Sequence, residues 1–235
     1  MNVETTIETR TLESVVAEEY PMMTGVHLVP AKPHIGYSRL KRVGDAILSA
    51  VGLILLLPLF MIIFLCMKFE NPHGPMFFSQ TRVGKNGRIF KMYKIRSMVV
   101  NAEELQQKLI HLNEIEGAMF KMKNDPRITK VGRILRRTSL DELPQLWNVL
   151  RGEMSLVGPR PPLPTEVESY TPYDMQRLSV VPGCTGLWQV SGRNALGFHE
   201  MVELDLQYIR EQSTTQDIRI MLKTVRVFLG SKDAF

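Results

Sequence analysis

Cysteine is scarce in this chain. Cys66 and Cys184 are the only two, and they lie far apart without CxxC spacing. That excludes a disulfide framework and a structural zinc site, and it points to a reducing compartment. The five histidines, His27, His34, His73, His111 and His199, form no HxxxH pair, which argues against a transition-metal centre. Low-complexity tracts and internal repeats are lacking, and with them the solenoid architectures. The acidic start lacks the basic region of a secretory signal, and the first apolar run begins too late to be one.

What is present begins with size and charge. At 235 residues there is room for one sizeable domain plus an appendage. The net charge of +5 hides an asymmetry: residues 1–36 carry five glutamates against Arg10 and Lys32, a balance of −3, which leaves +8 for the rest. A basic body suits anionic partners, whether nucleic acid, anionic lipid or a phosphorylated substrate. Residues 1–36 read as a weakly ordered leader, with few apolar residues, interruptions at Pro21, Pro30 and Pro33, and room for a short helix around Thr11 to Tyr20.

Ala46 to Met67 contains no charged residue and is bounded by Asp45 and Lys68. As a helix rising about 1.5 Å per residue, it is long enough for a bilayer core of roughly 30 Å. This shifts the anionic-partner question towards lipid and phosphate. Pro58 sits near its middle and predicts a kink. Arg39, Lys41 and Arg42 precede the run, and Lys68, Arg82, Lys85, Arg88 and Lys91 follow it. A positive-inside bias at both ends favours a re-entrant helix over a span.

Beyond the apolar run, two alternating segments, Phe77–Val83 and Arg88–Ile95, flank Gly84-Lys85-Asn86-Gly87 and predict a hairpin turning at Asn-Gly. Ala102 to Leu112 reads as an amphipathic helix, and Ile128, Val131, Ile134 and Leu135 give the next one its apolar stripe. A short strand is expected at Leu187-Trp188-Gln189-Val190, and two helical patterns close the chain. The last of these suits either core packing or a position along a lipid surface. The fold class expected is α+β, mostly helical, with a small β-hairpin and a Pro-kinked re-entrant membrane helix. The expected organisation is a leader at 1–36, a membrane-inserted helix at 37–68 and a cytoplasmic catalytic domain at 69–235.

The most informative stretch runs from Arg136 to Pro162. Arg136-Arg137-Thr138-Ser139-Leu140-Asp141-Glu142-Leu143-Pro144-Gln145 and Gly158-Pro159-Arg160-Pro161-Pro162 set two adjacent carboxylates between two sources of arginine. A carboxylate near guanidinium groups stays ionised at neutral pH and can serve as nucleophile or metal ligand, while arginines fork onto phosphate oxygens. The structural alternative is a capping box, with the Glu142 carboxylate reaching back to the Ser139 amide, and with Leu143, Leu146, Trp147 and Leu150 facing a core. Prolines on both sides of Arg160 limit backbone freedom and present its guanidinium at low entropic cost.

These words resemble the bacterial sugar transferases, the monotopic polyprenyl-phosphate phosphoglycosyl transferases. The resemblance is carried by Thr138 to Leu150, by Gly152-Glu153-Met154-Ser155-Leu156-Val157-Gly158-Pro159-Arg160-Pro161 and by Val181 to Arg193. Gln80-Thr81-Arg82-Val83-Gly84 and Phe90 to Met98 add to it, so that it covers roughly Tyr37 to the C-terminus. One departure is that Leu57, rather than the family's serine, precedes Pro58. Longer members carry a multi-span N-terminal region, so the sequence is expected to be a short form.

The resemblance implies a phosphoglycosyl transferase that moves a hexose 1-phosphate from a UDP-hexose to undecaprenyl phosphate and releases UMP. Asp141 would be the nucleophile, and Glu142 would hold Mg²⁺ or transfer a proton. Lys94, Arg136, Arg160 and Arg193 would bind substrate phosphates. Expected partners are UDP-hexose, undecaprenyl phosphate and membrane lipid, with downstream glycosyl transferases and a homo-oligomer compatible and nucleic acid not expected. The implied location is the cytoplasmic face of the bacterial inner membrane, at the first membrane step of exopolysaccharide, capsule or O-antigen-type glycan synthesis. Glucose or galactose is the favoured hexose. Two competing readings are a polyprenyl-phosphate glycosyl transferase releasing UDP and a non-enzymatic basic membrane adaptor.

Overall fold

The computed structural model describes residues 35–109, 122, 125–192 and 197–230. The leader, the end of the helix expected to reach Leu112, and Arg193 fall wholly or largely outside that set. Two helices open the described chain: α1 (Ile35–Leu55) and α2 (Leu57–Glu70). They meet at Leu56 with a bend of 53°. Pro58 lies in the first turn of α2, where its missing N–H does least harm. The break therefore forms without a serine before the proline. Among the described residues no single helix is long and apolar enough to cross a membrane, whereas this bent pair passes by length and composition.

The expected hairpin is present: β1 (Phe77–Val83) pairs antiparallel with β2 (Ile89–Ile95), in a register that sets Phe77 opposite Ile95 and Val83 opposite Ile89. Its turn places Asn86 at φ 56° and Gly87 at φ 79°, the left-handed conformations that an Asn-Gly pair adopts readily. Helix α3 (Ala102–Leu109) precedes α4 (Lys130–Arg137). Thr129 caps α4 by accepting the Gly132 N–H at 2.9 Å. The Glu70 carboxylate, at the end of α2, accepts the Lys130 and Val131 amides at 2.7 and 3.1 Å. Gly132 is required here, because a Cβ would lie 2.0 Å from the Ser97 carbonyl oxygen.

A 3-10 turn (Leu140–Glu142) leads into α5 (Gln145–Arg151), followed by β3 (Ser155–Val157) and α6 (Pro164–Val167). The strand expected at Leu187–Val190 is not one. Trp188–Val190 is a 3-10 turn, and the strand lies earlier, at β4 (Gly183–Thr185), paired parallel with β3. Helices α7 (Phe198–Glu211) and α8 (Thr214–Gly230) complete the described chain.

Several apolar clusters hold these pieces together. Ile63 of α2 packs with Ile95 of β2 and Leu135 of α4, flanked by Leu59, Phe60 and Leu140. Phe90 and Met92 of β2 pack with Val149 of α5 and Met154. Val157 of β3 joins Val202, Leu206 and Ile209 of α7 and Ile220 of α8. Helix α8 thus buries one face on the core, as Ile220 requires, while Ile218, Leu222 and Val225 remain exposed. The buried face of α5 is Gln145, Asn148 and Val149, and Trp147 stays half exposed. Of the expected Leu-Trp stripe, Trp147 is exposed, while Leu143, Leu146 and Leu150 are half-buried, with Leu146 against Gly52 of α1. Asn148, fully buried, accepts the Tyr93 N–H at 3.1 Å and donates to the Lys91 carbonyl at 2.7 Å and to Glu153 at 2.7 Å, lashing α5 to the hairpin.

Candidate active site

Four elements converge where the sequence puts its carboxylates. The 3-10 turn supplies Asp141 and Glu142, β2 supplies Lys94, the last turn of α4 supplies Arg136, and the proline-rich loop after β3 supplies Arg160. Lys94 Nζ lies 2.8 Å from Glu142 Oε1, and an Arg160 terminal nitrogen lies 3.6 Å from the same oxygen. Arg136 donates from Nε to Ser97 Oγ at 3.1 Å, which fixes the guanidinium while leaving its terminal nitrogens for a ligand. Arg137, next in sequence, is exposed.

The capping-box alternative fails on backbone geometry. Ser139 sits at φ 51°, ψ 20° with no side-chain cap bond, and its amide donates to the Arg136 carbonyl at 3.0 Å rather than to Glu142. A non-glycine residue in the left-handed region is strained, and such strain concentrates at functional sites. Here it falls in the connection between α4 and α5, two residues before Asp141, which is buried at 8% exposure.

Burial pushes the Asp141 carboxyl above its ordinary pKa. Lys94 and then Arg136 pull it down, and the adjacent Glu142 charge adds to the rise. The sequence alone suggested the opposite direction, from nearby cations. Desolvation prevails because the group is largely shut away from water.

One positioning residue escaped the sequence reading. Arg82 of β1 is 7% exposed, donates to the Pro161 carbonyl at 3.0 Å and to Gln80 Oε1 at 2.7 Å, and so braces the loop that presents Arg160. Burial, and then the neighbouring Arg160 charge, lower its pKa to about 10. Its only signal was its place in Gln80-Thr81-Arg82-Val83-Gly84. Lys85 and Lys91 are exposed, with Lys91 spent on Thr81 Oγ1 at 2.9 Å. Of the residues expected at the site, Lys94, Arg136, Asp141, Glu142 and Arg160 are brought together, and Arg193 lies outside the described residues.

The buried Asp141 thus feels the charges of Lys94 and Arg136, and the adjacent Glu142 meets Lys94 and Arg160, beside a bent apolar helix pair whose Ile63 packs near Leu140. Residues 36–231 match the family described as bacterial sugar transferase, and the chain belongs to that family. It is 54% identical over 168 residues to the galactosyl transferase CpsE of Streptococcus agalactiae, covering 71% of this chain and 37% of that protein. It is 46% identical over 200 residues to the undecaprenyl-phosphate galactose phosphotransferase of Salmonella typhimurium, covering 83% and 42%. The exopolysaccharide production protein ExoY of Rhizobium meliloti is 41% identical over 199 residues, covering 83% and 88%. The chain thus spans about two fifths of the length of the first two relatives and most of the third.

Proposed function

We propose that this protein transfers a hexose 1-phosphate from a UDP-hexose to undecaprenyl phosphate, at the cytoplasmic face of a bacterial inner membrane, to start a surface polysaccharide. The observation that carries this is Asp141, buried after a strained turn in the field of Lys94 and Arg136, with Arg160 on the adjacent Glu142. The Salmonella relative's name, which pairs undecaprenyl phosphate with a sugar phosphotransferase, supports it. So does the bent apolar pair, which as a re-entrant helix would keep the site at the bilayer surface.

In the first half-reaction an Asp141 carboxylate oxygen attacks the phosphorus bearing the sugar. An acyl-phosphate bond forms, the bond between the two donor phosphates breaks, and UMP leaves with the electron pair. A phosphate oxygen of the lipid then attacks the same phosphorus, and Asp141 departs as carboxylate. Arg136, Arg160 and Lys94 neutralise and orient the phosphates, as does Arg193 by family resemblance.

Among the described residues no three His, Cys, Asp or Glu side chains are grouped as a metal cage. One or two carboxylates completed by phosphate oxygens and water suit Mg²⁺, and Glu142, beside Asp141, fits that role. Bound there, Mg²⁺ would offset the charge of the donor diphosphate. The test is to supply vesicles containing undecaprenyl phosphate, Mg²⁺ and a panel of nucleotide sugars. UMP and a lipid diphosphate sugar are expected. Release of UDP instead would mean that only the sugar moves and would overturn the reading.

A further inference from the structure

The proposed acceptor is fixed in a bilayer while the donor comes from water, so the height of the site above the lipid matters to only one half-reaction. Helix α1 grips the catalytic elements with polar side chains on one face. Arg42 donates to the Val149 and Leu150 carbonyls at 2.6 and 2.7 Å, capping the C-terminal end of α5. Gly152, at φ 81°, is the turn that lets the guanidinium in, since a Cβ there would meet it at 3.3 Å. The other end of α5 adjoins Asp141 and Glu142. Asp45, 8% exposed, accepts from Ser155 Oγ at 2.6 Å, and Ser155 opens β3, the strand that runs into Arg160. Higher on the same face, Tyr37 and Lys41 both reach Asp217 of α8 at 2.8 Å. The opposite face of α1 offers Leu40, Val43 and Ile47, each more than half exposed.

We propose that Arg42 and Asp45 are positioning residues that lock the tilt and depth of the membrane helix to the two elements carrying the active site. They thereby set the lipid half-reaction and leave the donor half-reaction alone. The inference rests on the two-step reading above. Local site geometry has its own supports, namely Lys94 on Glu142, Arg136 on Ser97 and Arg82 on Pro161. None of these passes through α1, so donor chemistry survives its displacement. A shift of about 1 Å between reacting groups suffices to slow a reaction on the order of 100-fold. Any slip of α1 is transmitted to the distance between Asp141 and a bilayer-bound phosphate.

The experiment uses the full chain in phosphatidylethanolamine–phosphatidylglycerol vesicles, comparing wild type with Arg42→Gln, Asp45→Asn and the conservative Arg42→Lys. UMP release before acceptor is added reads the first half-reaction and doubles as a check of folding. Discharge to vesicle-embedded undecaprenyl phosphate and to a short-chain, water-soluble prenyl phosphate reads the second. Expected for Arg42→Gln and Asp45→Asn are a UMP burst within about threefold of wild type, discharge to the embedded lipid slowed about 10- to 100-fold, and near-normal discharge to the soluble acceptor. Arg42→Lys, which keeps one donor, falls between. Equal slowing with both acceptors, slowing of both halves alike, or no slowing at all would overturn the positioning role. A wild-type enzyme that releases no UMP until acceptor is present would overturn the two-step reading itself.

Discussion

Asn86 and Ser139 are the two non-glycine residues with positive φ among those described, at 56° and 51°. The same backbone conformation serves opposite ends in the two places. At the hairpin tip it is inexpensive, because asparagine tolerates the left-handed region and a glycine follows it. Before the candidate nucleophile it falls on a serine that gains no cap bond in return. A turn that exists only to connect is built from residues that suit it. One that aims a side chain accepts strain, which the surrounding packing of α4 and α5 sustains.

The largest effect expected from breaking this contrast lies just beyond the strained turn. Asp141→Asn preserves shape and removes the nucleophile, so turnover falls by at least about 1,000-fold, with thermal unfolding and vesicle binding unchanged. Next come paired substitutions at the two turns. Valine at Ser139 or at Asn86 is expected to cost about 1–3 kcal/mol in denaturant unfolding, since a β-branched residue fits neither φ. Glycine separates the sites. Asn86→Gly leaves stability and rate nearly unchanged, whereas Ser139→Gly keeps the fold and slows turnover roughly tenfold by loosening the aim of Asp141. Equal kinetic effects at the two positions would erase the distinction.

A third prediction concerns proton linkage. The Asp141 pKa is raised by burial, so its reactive carboxylate is lost, as pH falls, at a higher pH than for an ordinary aspartate near about 3.9. Glu142 contributes to the rise, so Glu142→Gln should move the Asp141 titration to lower pH, which carbon-13 NMR of labelled aspartate would read. A shift to higher pH would contradict the sign. The smallest effect is reserved for Leu57→Ser. Helix α1 already ends at Leu55 and the 53° bend already forms, so restoring the family's serine should change turnover less than about twofold.

Much of this was legible in the residues themselves, and the exceptions have physical causes. The hairpin was readable because Asn-Gly and alternation are local signals. The break near Pro58 was readable for the same reason. By contrast, β3 and β4 have three residues each and pair in parallel, so only tertiary contacts define them. Trp188–Val190 looked like a strand by composition and became a 3-10 turn. The Ser139 motif had the letters of a capping box, but the register of α5 begins later, at Gln145 behind Pro144. Asp141 and Glu142 stood out as adjacent carboxylates between arginines, whereas Lys94, Arg136 and Arg160 were expected from the family resemblance, and Lys94 and Arg160 both lie against Glu142. Arg82 was hidden because its partner is a backbone carbonyl 79 positions away.

Central to the account is a covalent sugar phosphate on Asp141. Enzyme quenched after mixing with UDP-hexose, without acceptor, should give by mass spectrometry one peptide containing residue 141 heavier by a hexose phosphate. That adduct should vanish on addition of undecaprenyl phosphate. Product formation at full rate with an unmodified Asp141 peptide at every quench time would contradict it.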